Sequence, residues 1–257
     1  MDPFDTRAND SRDSLAAGPG GAAGSQDLRL DLGRRGRLGM VEAIWGEHKS
    51  LEQIVAALAG LREGGEITLV TRLTADRAQA LLALLPAAGL DPDAYRHHGE
   101  ACCLASRQLP LPDPGLEAVT ILAGGSSDRA VASEAALALA CHGIASRLLL
   151  DVGVAGLHRL LEQLESLRRS PLLIACAGME GALPTVLAGL LPQPVIGVPV
   201  SVGYGVSAGG QAALHGMLAS CAPGLSVVNI DNGYGAAMAA LRILRGTGST
   251  ATAPQGA

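Results

Sequence analysis

Ala118-Val-Thr-Ile-Leu-Ala-Gly-Gly-Ser-Ser-Asp128 decides the fold. Its first part, Ala118–Ala123, is an apolar run without alternation, the pattern of a strand buried on both faces. Its second part, Gly124 to Asp128, has the small and polar residues of a strand-to-helix turn. An Ala-rich stretch of helical length, Arg129–Cys141, comes next. The same unit then recurs. Apolar runs at Ile144–Leu150, Leu172–Ala177, Pro194–Val198 and Leu225–Ile230 alternate with helical stretches at Ala155–Leu167, Gly181–Leu191, Ser207–Ala219 and Tyr234–Leu244. Strand and helix alternating in this way predict an α/β domain over 116–245, with a three-layer architecture around a parallel sheet. Ligands of such sheets bind at the carboxyl ends of the strands.

Upstream of this domain, Leu109–Gly115 holds three prolines in seven residues and reads as a linker. Residues 28–115 up to and including that linker form a smaller N-terminal α/β region. There Ser50 is a helix N-cap with Gln53 as its capping-box partner, for a helix reaching about Leu61. Glu66–Thr71 reads as a strand and Ala75–Leu85 as a helix, while Cys102-Cys103 fall in an ambiguous segment. Residues 1–27 and 246–257 have the small, polar composition of disordered tails.

Composition excludes whole classes of function. The net charge of −5 and an aromatic content of 2% leave neither the clustered cations nor the stacking platforms that nucleic acid requires. No uncharged apolar run is long enough to span a membrane, and the N-terminus has no apolar h-region of a signal peptide. Five cysteines without CxxC spacing read as free thiols of a reducing, cytoplasmic compartment.

The strand-end rule selects the chemistry. Gly125, Ser126, Ser127 and Asp128 follow the first strand, where glycine and a helix N-terminus offer N–H groups to a phosphate; the structural alternative is a plain turn with Asp128 as N-cap. Asp151 follows the second strand, Gly178 and Glu180 the third, and Asn229, Asp231 and Asn232 the fifth. Asp128, Asp151, Glu180 and Asp231 at one sheet edge could hold Mg²⁺, a cation that takes oxygen ligands, or could each cap a helix. The Gly-rich connection from Gly197 to Gly210, with Gly203, Tyr204 and Gly205, reads as a binding loop or a tight subunit contact. His158 lies one turn inside a helix, as an acid or base or as a capping residue. His97-His98 are neighbours without helical metal spacing. Arg34 and Lys49 either reach an anionic ligand or belong to a solvated face. Cys221 has no basic neighbour and, on its residues alone, reads as a small structural hydrophobe.

Pro194-Val-Ile-Gly-Val-Pro199, the Gly-rich connection, Val227–Asn229 and the final Ala-Ala helix resemble the aminoimidazole ribonucleotide mutase/carboxylase (PurE) domain, a flavodoxin-like fold. Gly125-Ser126-Ser127-Asp128 is similar to that family's phosphate-binding Gly-Ser-x-Ser-Asp. After the second strand, however, the purine enzymes carry Ser-Ala-His-Arg-Thr-Pro, with a proton-shuttling histidine, where this chain has Asp151-Val-Gly-Val-Ala-Gly. A closer resemblance is to LarB, the first enzyme of nickel-pincer nucleotide synthesis. It rests on Asp31-x-x-Arg34 through Gly39-x-x-Glu42, Asp151-Val-Gly-Val-Ala-Gly-x-His-Arg-Leu, Ala177-Gly-Met-Glu-Gly-Ala-Leu-Pro, Val202-Gly-Tyr-Gly, Ser220-Cys-Ala-Pro-Gly and Val227-Val-Asn-Ile-Asp-Asn-Gly-Tyr-Gly-Ala-Ala. The usual Gly-Lys-Thr of LarB is replaced here by Glu47-His48-Lys49-Ser50, which keeps the lysine.

The resemblance implies a reaction. The substrates are nicotinic acid adenine dinucleotide and CO₂ or bicarbonate; the products are pyridinium-3,5-biscarboxylic acid mononucleotide and AMP. It places the catalytic cysteine at Cys221; from the strand-end reading, Glu180, Asp151 and His158 are the candidate catalytic partners and Asp128 and Asp231 the candidate Mg²⁺ ligands, with metal ligation and proton transfer undivided among the four carboxylates. It implies no organic prosthetic group, and a homo-oligomer, an octamer by likeness to this fold's relatives. The competing expectations are a purine-type carboxylase or mutase, and a nucleotide-binding protein without turnover.

Overall fold

The apolar run becomes strand β5 (Val119–Ala123), in which every residue is buried. The computed structural model describes residues 28–115 and 118–248. In it β5 joins β6 (Ser146–Leu149), β7 (Leu173–Ala177), β8 (Val195–Pro199) and β9 (Leu225–Val227) in a five-stranded sheet of order β6-β5-β7-β8-β9. All pairings are parallel, with Ile121 opposite both Leu148 and Ile174. Strand order therefore reverses between β5 and β7, and at such a switch point a crevice opens at the strands' carboxyl ends.

The strands sort their side chains by alternation. Val119, Ile121 and Ala123 of β5, with Ile174 and Cys176 of β7, pack on helices α4 (Arg129–Ala140) and α9 (Gly233–Gly248). Leu122, Leu173 and Ala175 face the other way, toward α5 (Leu157–Leu161), α6 (Leu164–Leu167), α7 (Ala182–Leu190) and α8 (Gln211–Leu218).

A second sheet precedes this one. Strands β1 (Ala43–Trp45), β2 (Leu69–Thr71), β3 (Tyr95–His98) and β4 (Cys103–Ser106) are ordered β1-β2-β4-β3; β1 and β2 are parallel and the other pairings antiparallel. Helix α1 (Arg34–Leu38) precedes it, and α2 (Leu51–Glu63) and α3 (Ala75–Leu84) cover one face. Helix α2 starts as its sequence predicts: the Gln53 N–H donates to Ser50 Oγ at 3.2 Å, and the Ser50 N–H to Gln53 Oε1 at 3.0 Å. On the other face, Leu69, Cys103 and Ala105 join the same core as α4 and α9. The α4–α9 layer is thus buried between two sheets. That is why Ala132, Ala135, Ala138, Ala236, Ala237 and Ala240 are all fully buried: only small side chains let three layers approach.

Polar contacts tie the same seam. His142 donates from Nδ1 to the Ala138 carbonyl at 2.7 Å, so its Nε2 can accept the Val41 N–H at 3.0 Å. Tyr234 Oη donates to the Val41 carbonyl, and Arg245 to that of Gly39.

Several expected elements change. The Ala155–Leu167 helix is broken into a turn at Val154–Gly156, α5 and α6. At the break the Gln163 N–H donates to the Leu160 carbonyl three residues back, a tighter turn than the α-helix makes. Helix α8 starts at Gln211, not Ser207, because Gly209 and Gly210 take left-handed φ values of 76° and 77°. The last strand ends at Val227. Residue 246, expected in the C-terminal tail, continues α9, whereas 249–257 and the N-terminal tail, 1–27, lie outside the described residues. The Cys102-Cys103 segment leads into β4, paired with β3 in a hairpin that sequence reading did not find.

Candidate functional site

Four loops meet at the switch point. Gly124–Asp128 leaves β5, Gly153–Ala155 follows β6, Ala177–Glu180 ends β7, and Val202–Tyr204 follows β8; between them lies a cavity of about 400 Å³. Two close approaches hold it together. A Cβ on Gly153 would come 2.5 Å from the Gly124 carbonyl oxygen, and one on Gly178 would run into that of Val202. Only glycine permits both contacts.

Asp128 organises the cradle. Its carboxylate is buried and accepts the Gly125 N–H at 2.8 Å and the backbone N–H of Gly178, so one side chain braces two of the four loops. Burial pushes its carboxyl above the ordinary aspartate range, and the charge of Asp231 adds to this, against the two N–H groups. Asp128 therefore does not cap α4 through its side chain. Asp151, Met179 and Asp231 have φ values of 58°, 53° and 54°, so three strand ends carry left-handed backbone at residues other than glycine. Such strain collects where a site is built.

The cavity gathers Gly125, Ser127, Asp128, Gly178, Glu180, Gly203 and Tyr204 from the expected site. Glu180 is exposed on its wall. Other expected residues lie elsewhere. Asp151 is ion-paired with Arg159 at 2.6 Å, and His158 is exposed on α5. Asp231 accepts the Ser201 N–H at 2.8 Å. Asn229 and Asn232 border a different cavity, at the seam between the sheets. Ser126, Gly205, Arg34 and Lys49 line neither; Arg34 lies near Tyr234, and the Lys49 carbonyl accepts from Arg77. Cys221 is exposed between α8 and β9, beyond Ser220, whose Oγ accepts from Thr185 at 2.9 Å.

The expected carboxylate cluster does not form. Among the described residues no three His, Cys, Asp or Glu side chains come together to hold a metal. Asp128 and Asp231 are engaged by backbone N–H groups and Asp151 by a guanidinium. These residues do not fit a protein-built Mg²⁺ site.

Sequence reading missed Trp45, Arg72 and Glu134, which border the seam cavity. Glu134 is buried, accepts the Tyr234 N–H at 2.8 Å, and is pushed up by burial. Its signal was present: it is the one carboxylate within the Ala-rich α4 sequence. Arg72 gave none, because its left-handed φ of 53° has no mark in sequence.

Comparison with known proteins agrees with this geometry. Residues 118–253 match the AIR carboxylase family, and residues 25–100 match the LarB/PurE-like N-terminal domain. An uncharacterised protein of Methanocaldococcus jannaschii is 36% identical over 211 residues, covering 81% of this chain and 80% of that protein. The N5-carboxyaminoimidazole ribonucleotide mutase of the same organism is 35% identical over 133 residues, 49% of this chain and 78% of that enzyme. Among the described residues no helix is long and apolar enough to cross a membrane.

Proposed function

Because the chain belongs to the AIR carboxylase family and carries a LarB/PurE-like N-terminal domain, we propose that it carboxylates C5 of the pyridinium ring of nicotinic acid adenine dinucleotide and hydrolyses the phosphoanhydride, water adding to phosphorus as the bridging P–O bond breaks. The products are pyridinium-3,5-biscarboxylic acid mononucleotide and AMP, and the pathway is nickel-pincer nucleotide synthesis. The observation that carries this reading is the lining of the switch-point cavity: carboxylates and backbone N–H groups, with no histidine. Gly153 falls near the place of the purine enzymes' proton-shuttling histidine, and its backbone has no room for a side chain. A mutase in the purine manner lacks its shuttle here.

The chemistry follows from the ring. A pyridinium carbon is electron-poor and cannot attack CO₂. Addition of the Cys221 thiolate to the ring carbon beside C5 breaks aromaticity and leaves an enamine, whose β-carbon is C5. C5 then attacks CO₂. Glu180 takes the C5 proton, the C–S bond breaks with its electron pair returning to sulfur, and the ring regains aromaticity. Asp128 fixes the Gly124–Asp128 turn by taking the Gly125 N–H, which leaves the N–H groups of Ser126 and Ser127 at the turn to hold phosphate. These steps use the chain's own groups, and none runs through a protein-held cation.

Cys221 is exposed and outside its own chain's cavity. We assign it to the cavity of a second copy in a homo-oligomer. Leu218, Tyr204 and Val206 support this, since they are apolar and 64%, 78% and 95% exposed along the α8 and Gly-rich loop surface. The test is product mass. Purified protein given nicotinic acid adenine dinucleotide and bicarbonate should release AMP and the biscarboxylated mononucleotide, and should leave N5-carboxyaminoimidazole ribonucleotide unchanged. Turnover of the purine substrate alone would overturn the reading.

A further inference from the structure

Two more cavities continue from the switch point along the seam between the sheets. The nearer, of about 210 Å³, shares Ser127 and Val202 with the switch-point cavity. The farther, of about 380 Å³, shares Arg72 and Glu134 with the nearer one. The three cavities therefore adjoin one another along the seam, each neighbouring pair divided by side chains that line both. The farther cavity is built jointly by the two regions: Trp45, Thr71 and Arg72 come from the carboxyl ends of β1 and β2, Asn229 and Asn232 from the turn between β9 and α9, and Tyr234 from the first turn of α9.

The chemistry of that cavity is specific. The chain has a single tryptophan. It is Trp45, which is 50% exposed at the cavity wall. Its indole is braced: the His48 ring stands perpendicular to it at 4.6 Å, and its N–H donates to Glu47 at 3.3 Å. A large, fixed, exposed aromatic face in a chain with 2% aromatics is a platform for a flat ring. Asn229 and Asn232 use their side-chain oxygens on backbone N–H groups of Ile230 and Gly235, which leaves their NH₂ groups as donors toward acceptors such as the ring nitrogens of a purine. Arg72 stands on the wall between the two seam cavities. One of its nitrogens donates to the Asp231 carbonyl at 2.9 Å, and the other is 3.7 Å from Glu47, so the guanidinium is oriented but half-accessible.

We propose that the far seam cavity seats the second nucleotide of a dinucleotide substrate, with its base on Trp45, the Asn229 and Asn232 amides at the base edge and its phosphate at Arg72, while the reacting nucleotide occupies the switch-point cavity. This assignment rests on the dinucleotide reading above. The N-terminal region then selects a dinucleotide over a mononucleotide, and after cleavage it holds the departing adenylate.

The single tryptophan makes the test direct, with AMP as the probe for the far end and nicotinic acid mononucleotide as the probe for the near end. AMP should quench Trp45 emission saturably, while nicotinic acid mononucleotide should bind by calorimetry and leave the emission nearly unchanged. Trp45→Ala should weaken AMP at least about fivefold by calorimetry, in line with the usual worth of base–aromatic stacking. Trp45→Phe should retain most of the affinity. Arg72→Lys, which keeps the charge but loses the planar fork, should weaken AMP more than adenosine. Circular dichroism and melting temperature would establish that each variant is folded. AMP binding that leaves Trp45 emission and Trp45→Ala affinity unaltered, AMP competing with the mononucleotide for one site, or no AMP binding by either method would overturn the inference. If AMP quenches Trp45 but no ring is carboxylated, the adenylate seat stands and the reaction assigned above fails. If carboxylation proceeds while Trp45 does not sense AMP, the reverse holds.

Discussion

At position 153 a Cβ would lie 2.5 Å from a carbonyl oxygen, closer than real Cβ atoms come, so Gly153→Ala must push the β6 loop off the β5 loop. We expect it to cost about 1–3 kcal/mol in urea unfolding and to raise KM for the dinucleotide; unchanged KM would show that the two loops need not touch. The cysteines separate by environment. Burial pushes Cys141 up to about 12 and Cys176 higher still, so neither is available as a thiolate, whereas Cys221 is exposed. Cys221→Ser should fold normally and lose carboxylation, because an alkoxide is far less accessible than a thiolate near neutral pH. Cys141→Ser and Cys176→Ser should keep activity per folded molecule and lose roughly 1–3 kcal/mol of stability, the cost of an unpaired hydroxyl in the core. Mass analysis of protein denatured during turnover should find a substrate-derived adduct on the Cys221 peptide and on no other. Much at this scale was legible. Gly125, Ser127, Asp128, Gly178, Glu180, Gly203 and Tyr204 were all expected at a site, and all border one cavity. What could not be read was how each carboxylate would be employed. Whether Asp231 meets a metal or the Ser201 N–H depends on a loop from another strand.

At the scale of elements, β5, β7 and β8, in which every residue is buried, are the strands that a continuous apolar run marks most plainly, although such a run does not set their register. The short strands β1, β3 and β4 carry only three or four residues each, too few for a period to emerge. Apolar spacing over Ala155–Leu167 is helical throughout, and periodicity does not record the tighter turn between α5 and α6, where the Gln163 N–H donates to Leu160 three residues back. His142, which no sequence motif marks, fastens the first sheet to α4. Burial, with Arg245 and Arg35 adding to it, holds its imidazole below the ordinary histidine range, and it accepts the Val41 N–H only when neutral. The sign follows. A histidine whose pKa falls on folding contributes stability that is complete above the unfolded value, near 6.5, and is lost as pH drops through the lower folded value. Asp128 and Glu134, whose carboxyls are raised by burial, act in the opposite sense: stability from them is lost as pH rises above the ordinary carboxylate range. Urea unfolding at pH 8, 6 and 5 should therefore show a smaller acid loss in His142→Gln than in wild type. Glu134→Gln, which keeps an acceptor for the Tyr234 N–H, should instead be relatively more stable at pH 8 than at pH 5. Parallel curves for wild type and either variant would remove that residue from the linkage.

For the whole molecule, the sequence placed a linker at Leu109–Gly115, and the two sheets do lie on either side of it, but the core does not stop there. Leu69, Cys103 and Ala105 pack into the same cluster as Ile121 and Ala237. A Pro-rich segment marks where the chain leaves one sheet; it carries no information on whether the faces beyond it meet, since that is decided by the alanines of α4 and α9. The same limit applies between copies. Leu218, Tyr204 and Val206 are exposed, and Cys221 is outside its own cavity. If one copy supplies the thiol and another the carboxylate, the two defects should complement. Cys221→Ser and Glu180→Gln should each be inactive in carboxylation alone. Co-expressed under separate tags and purified through both, they should recover activity, because a mixed assembly contains sites in which both groups are intact. For random equal mixing of a two-copy site that is about a quarter of the wild-type rate per site. Sedimentation would establish that the mixed assembly has the wild-type size, and Leu218→Glu should reduce both that size and the recovered activity. Doubly tagged assemblies of wild-type size with no recovered activity would mean that Cys221 reaches Glu180 within one chain, and the α8–β9 loop would then have to move onto its own cavity during turnover.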